Sequence, residues 1–142
     1  MPSPSMKARI ERFARAVRRL KGISEIPLEQ FLADEDKIDA SERNLQVAIE
    51  TLIDIGEALI SMMNWEAPKS YREVAMLLSG YGVITPEQGR RLEELIGLRN
   101  VLVHNYVYVV PRNVYQGTLK VGELTTMMNS LLAYMQARGM DP

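Results

Sequence analysis

The sequence predicts an all-α protein, a bundle of four to five main helices, and three observations carry that reading. Apolar residues recur at spacings of three and four through most of the 142 residues, and no stretch alternates convincingly with the two-residue period of a strand. Helix start and stop residues punctuate the chain at suitable intervals, from Gly22 and Pro27 to Thr85-Pro86 and Pro111. Composition is that of an ordinary soluble domain, 46% hydrophobic and 25% charged. A chain of this length buries roughly two thirds of its unfolded surface, so a single domain over residues 1–142 is expected, with short flexible ends at about 1–5 and 139–142.

Each element follows from local pattern. Ile10, Phe13, Ala14, Val17 and Leu20 form one apolar face, predicting an amphipathic helix over 5–22 that Gly22 ends and whose basic side faces out. Pro27 and Leu28 to Leu32 suggest one short helical turn. A long second helix is predicted from about Asp36 to Met63, its acid-rich start matching the helix dipole, with Pro68 closing the region. Ser70 can cap a third helix through Leu78, which Gly80 and Gly82 terminate. Thr85-Pro86-Glu87 places a capping residue before proline at the first helical position, and so predicts a fourth helix to roughly Tyr106. The β-branched run before Pro111 marks a break. A last helix is expected from about Val114 to Ala137, its start blurred by Gly117 and Gly122.

Several function classes are disfavoured. With no cysteine there is neither disulfide nor thiolate metal site, and a single histidine weakens any zinc reading, so no metal and no cofactor is expected. No apolar run approaches the roughly 18 residues that cross a bilayer. The expectation is a cytoplasmic protein with no membrane partner. A net charge of −1 argues against a chain that coats nucleic acid, and no DNA partner is expected. The charge is nonetheless uneven: Lys7 to Lys21 holds seven bases against Glu11, whereas Gly22 to Ile60 holds ten acids against Lys37 and Arg43. Such runs are either complementary solvated faces or a surface for phosphates or an acidic partner. Trp65, Tyr71 and Tyr81 border helix ends and read as core edges.

Polar chemistry concentrates in Arg99-Asn100-Val101-Leu102-Val103-His104-Asn105-Tyr106. Arg99 falls in phase with Leu92, Leu95, Ile96, Leu102, Val103 and Tyr106, so its guanidinium must be paired or line a cavity. Counter-ions are available on the second helix, where Arg43, Gln46, Glu50, Asp54 and Glu57 share one face of an otherwise apolar stretch. A buried ion pair setting helix register and a support for a reactive site are both consistent with this stripe. On an ideal helix His104 lies about 140° around from Arg99 but about 40° from Asn100. For arginine and histidine to act on one phosphate, Arg99 must reach around, the helix must loosen, or a two-fold partner must complete the cleft.

The spacing Arg99, His104, Tyr106, with Asn100 directly after the arginine, resembles the motif of the HEPN superfamily and specifically its HepT-type toxins. The likeness extends to "ERNLQVAIETLIDIGEALI" at 42–60, "PKSYREVAMLLSGYGVI" at 68–84 and "LIGLRNVLVHNYVYV" at 95–109, in the family's order. What the resemblance implies is a HEPN-like helical bundle forming a two-fold homodimer, a metal-independent endoribonuclease acting on tRNA or mRNA. Its partner would be a minimal nucleotidyltransferase antitoxin. Arg99 and His104 would then be the catalytic pair, with Asn100, Asp54 and Glu57 supporting them, and Tyr106 the residue to which the antitoxin adds AMP. The alternative is a non-catalytic helical dimer that docks a nucleotidyltransferase or binds a nucleotide.

Overall fold

The computed structural model describes residues 4–140, apart from the side chains of Pro4 and Tyr106. Seven α-helices and one 3-10 turn make up its regular structure, and no strand occurs among the described residues. The helices are α1 (Pro4–Ser24), α2 (Leu28–Leu32), α3 (Glu35–Met62), α4 (Tyr71–Gly80), α5 (Pro86–His104), α6 (Pro111–Thr118) and α7 (Val121–Ala137), with the 3-10 turn at Tyr106–Tyr108.

α3 is the axis of the bundle because its middle is apolar nearly all round. Leu45, Ala48, Ile49, Leu52, Ile53, Ile55, Leu59 and Ile60 are all buried, and α1, α4, α5, α6 and α7 pack around them. Asp34 starts the helix by accepting a hydrogen bond from the backbone N–H of Lys37 at 3.1 Å. α1 lies antiparallel along α3, since Arg9 meets Asp54 while Arg19 shares a cleft with Arg43. α1 buries Phe13, Ala16, Leu20 and Ile23 and turns its arginines to solvent, as its amphipathic pattern requires. The short α2 is held by Phe31, wholly buried, whose ring sits 5.0 Å from that of Tyr115 on α6.

Four boundaries differ from the pattern-based expectation, one of them the end of α4, which runs two residues past Leu78 to Gly80. α1 continues through Gly22 to Ser24, because Ile23 is still a core residue and a glycine costs a helix only about 1 kcal/mol. α5 stops at His104, two residues early, where Asn105 leaves helical geometry at φ −131° and ψ 45°. The expected last helix is two helices: Pro111 opens α6 rather than only breaking the chain, and a tight turn at Leu119-Lys120 separates α6 from α7. Gly117 is needed where α6 crosses α3 and α5, because a Cβ there would lie 2.8 Å from a methyl of Leu98 and 3.0 Å from one of Leu45. At the ends Ser5 is already helical, and the backbone N–H of Met140 is bonded to Met135 at 2.9 Å; residues 1–3 and 141–142 lie outside the described residues.

Candidate active site

α5 carries the polar octet, and its start is firmly specified. The Thr85 hydroxyl accepts from the N–H of Gln88 at 3.1 Å, while the Gln88 side chain accepts from the N–H of Thr85 at 2.9 Å, a reciprocal capping box. Leu92, Leu95 and Ile96 then anchor the helix in the core. α4 runs back along α5 at close range, for a Cβ on Gly89 would come within 2.9 Å of the Ser79 Cβ. This pairing sets Arg72 beside Glu93 and brings Tyr71, at the far end of α4, beside Arg99.

Arg99 is where the charges meet. Its Nε donates to Glu50 Oε2 at 2.7 Å and its Nη2 approaches the same oxygen at 2.6 Å, lengths typical of charge-assisted bonds. Nη1 donates to the Asn100 side-chain oxygen at 3.2 Å. The Tyr71 ring lies under the guanidinium, 4.8 Å from its carbon, and Gln46 donates to Glu50 at 3.3 Å. The Arg99 side chain is 15% exposed and that of Glu50 25%, so the pair is largely, but not wholly, out of water. A guanidinium has five N–H donors, and among the described residues three are engaged, which leaves one on each terminal nitrogen. Two N–H groups of this kind are suited to phosphate oxygens.

The sequence-predicted residues are thus partly brought together. Arg99 and Asn100 touch, while His104 ends the same helix exposed, with no side-chain hydrogen bond among the described residues. Helical geometry persists to His104, whose successor Asn105 still donates to Val101 O at 3.0 Å, so arginine and histidine remain on different sides of α5. The helix does not loosen to unite them. Glu50, rather than Asp54 or Glu57, meets the guanidinium. Asp54 lies one turn further along α3, 3.9 Å from Arg9, and Glu57 is exposed beyond it. Tyr71, which sequence reasoning placed at a core edge, is the other contact. Tyr106 falls in the 3-10 turn and not on the helix, so the helical phase expected to relate it to Arg99 does not apply; its side chain lies outside the described residues.

The carboxylates beside the pair are electrostatically loaded. Burial raises the pKa of Asp54, with Arg9 opposing and Glu50 adding to the rise. Partial desolvation likewise raises Glu57, exposed as it is, helped by the charge of Asp54. The Tyr71 phenol is pushed up by burial, with Glu50, Asp54 and Glu57 adding to the rise and Arg99 opposing it. Because the two carboxyls hold their protons more tightly when folded than when unfolded, stability from them declines as pH rises from the ordinary carboxylate range through their raised values. We expect the denaturation midpoint of Asp54→Asn/Glu57→Gln to vary less than wild type between about pH 4 and pH 7. Equal slopes would show that neither group titrates abnormally.

Among the described residues no group of histidine, cysteine, aspartate and glutamate is arranged to hold a metal ion, and no helix is long and apolar enough to cross a membrane. The model of the HepT-like ribonuclease family matches residues 13–121. The chain belongs to this family. It is 31% identical over 112 residues to the tRNA nuclease HepT of Aphanizomenon flos-aquae strain 2012/KM1/D3, covering 78% of this chain and 75% of that protein. To the mRNA nuclease HepT of Shewanella oneidensis it is 34% identical over 77 residues, 54% of this chain and 58% of the other. The fold is that of the tri-AMPylated Shewanella oneidensis HEPN toxin solved in complex with an MNT antitoxin: the TM-score is 0.83 at 23% identity, over 93% of this chain and 99% of that one. The helical architecture of this HepT-like chain is therefore the HEPN bundle.

Proposed function

We propose that the chain is a metal-independent endoribonuclease toxin that cleaves tRNA or mRNA with Arg99 and His104, acting as a two-fold homodimer. The observation that carries this reading is the guanidinium held by Glu50 and Asn100, five residues before an exposed imidazole. Support comes also from two HepT relatives that are nucleases of tRNA and of mRNA.

Transesterification within RNA needs a base to take the 2′-hydroxyl proton, a cation for the charged phosphorane, and an acid to protonate the departing 5′-oxygen. Imidazole can serve as base or acid near neutrality, and arginine stays charged throughout. One chain has a single histidine, but a two-fold dimer has two, one for each proton transfer. The divergence of Arg99 and His104 on α5 gives a second reason for pairing, since a second copy can set its His104 beside this Arg99. Val107, Tyr108 and Val110 are 72%, 74% and 48% exposed next to His104, an apolar rim of the kind that a second copy covers.

Products should carry 2′,3′-cyclic phosphate and 5′-hydroxyl ends, read by end-specific labelling; 3′-hydroxyl products would reject the mechanism. The antitoxin in this reading is a minimal nucleotidyltransferase that adds AMP to Tyr106, placing a bulky anion next to the site. The solved neighbour is itself an AMPylated toxin with such a partner, which supports the assignment. Mass spectrometry of protein co-expressed with the nucleotidyltransferase should find the adduct on Tyr106 and not on Tyr108. An adduct confined to another residue would remove that assignment.

A further inference from the structure

The groove between α1 and α3 contains an arrangement that the catalytic site does not use. Arg12, Arg15 and Arg19 project from one side of α1, Arg43 faces them from α3, and together with Asn44 they line a cleft of about 360 Å³. All four arginines are exposed, and among the described residues no carboxylate lies within 4 Å of any of them. The contrast with Arg9, one turn earlier on α1 and beside Asp54, is direct. Acids are not scarce, since the chain has 18 against 17 lysines and arginines, yet among the described residues none forms an ion pair with these four. Four guanidinia around one cleft repel each other, and an anion placed between them relieves that repulsion.

We propose that this cleft is a docking track for the RNA backbone, leading a strand toward Arg99; the assignment rests on the nuclease reading above. Three features favour RNA phosphates. Arg12, Arg15 and Arg19 lie at i, i+3 and i+7, a row of forks spread over about 10 Å of helix axis, which suits successive phosphates rather than one small anion. The lining otherwise consists of Ala16, Asn44 and Val47, with no aromatic side chain to stack a base, so the grip is on the backbone and indifferent to sequence. The track and the site also share a face of α3, along which Arg43, Gln46 and Glu50 follow one another, and Glu50 holds Arg99. From Arg43 to Glu50 is about 10 Å along the helix.

The test uses the full-length protein carrying His104→Ala, so that RNA survives, with and without Arg12→Gln, Arg15→Gln, Arg19→Gln and Arg43→Gln together. Binding of a fluorescent single-stranded RNA is followed by anisotropy over a series of salt concentrations. The glutamine set is expected to bind roughly 10- to 100-fold more weakly at low salt, and its slope of log K against log salt should be shallower by about 2 to 3, the value for three or four lost phosphate contacts. The corresponding lysine set, which keeps the charges, should restore most of the slope. Because the four side chains are exposed, circular dichroism and melting should match the parent. RNA affinity and slope unchanged in the glutamine set would overturn the track. If that set instead keeps RNA and loses a nucleotidyltransferase partner, the cleft belongs to protein docking and the proposal fails. Cleavage of the same RNA by the His104 protein is measured alongside. Cleavage with an unaltered slope overturns the track alone, whereas neither cleavage nor binding overturns the nuclease reading with it.

Discussion

His104→Ala is expected to slow RNA cleavage by about 10²- to 10⁴-fold, the usual contribution of a positioned general acid or base. Its effect on folding should be small. The imidazole is exposed at the end of α5 and makes no side-chain hydrogen bond among the described residues, so its removal should change stability by no more than about 0.5 kcal/mol. This combination separates a chemical role from a structural one. Initial rates on a defined RNA, with urea unfolding of the same samples, provide the check. A variant that cleaves within a few-fold of wild type would remove His104 from the mechanism, and one that unfolds easily would make it a packing residue.

Arg99→Ala is expected to damage both properties. In the proposed mechanism the guanidinium holds the developing phosphorane, and loss of one such donor group commonly costs about 10²- to 10³-fold in rate. The same substitution leaves Glu50 partly buried without its cation. Breaking a fully buried pair costs about 3–5 kcal/mol, and partial exposure here reduces the expected loss to about 1–3 kcal/mol. Arg99→Lys should recover part of the stability but little of the rate, because an ammonium on Glu50 cannot also present a planar pair of donors to phosphate. Arg99→Ala/Glu50→Ala should be more stable than Arg99→Ala, since the orphaned carboxylate is gone. Full activity in Arg99→Lys would show that only a point charge is required, contrary to the fork geometry.

Much of this arrangement was legible in the sequence where a single local rule decides the outcome. The start of α5 was readable because threonine supplies a cap directly before a proline at the first helical position, although the return bond from Gln88 was not read; the long α3 was readable because its apolar pattern is nearly uninterrupted. The break between α6 and α7 was not. Val114, Gly117, Thr118, Val121, Leu124 and Met128 are all buried, so the helical period carries across the turn at Leu119 and Lys120 and hides it.

The site shows the same division. Periodicity put Arg99 on the inward stripe and put Glu50, Asp54 and Glu57 on one face of α3. It could not choose among three carboxylates a turn apart, because the choice depends on the height at which α5 crosses α3. Tyr71 was hidden for the same reason: its place beneath Arg99 comes from the antiparallel packing of α4 on α5, to which Gly89 and Ser79 contribute from the other end. The end of α5 at His104 was obscured because no glycine marks it, and Asn105 stops the helix two residues before the β-branched run begins at Val107.

The most direct measurement is cleavage of total tRNA and of a generic mRNA in excess EDTA, by wild type, Arg99→Ala and His104→Ala, each shown to be folded and free of AMP on Tyr106. Cleavage by wild type that both substitutions abolish is the predicted result and would place a metal-independent ribonuclease centre on α5. Intact RNA in every sample would contradict it, leaving a helical module that docks a nucleotidyltransferase or binds a nucleotide.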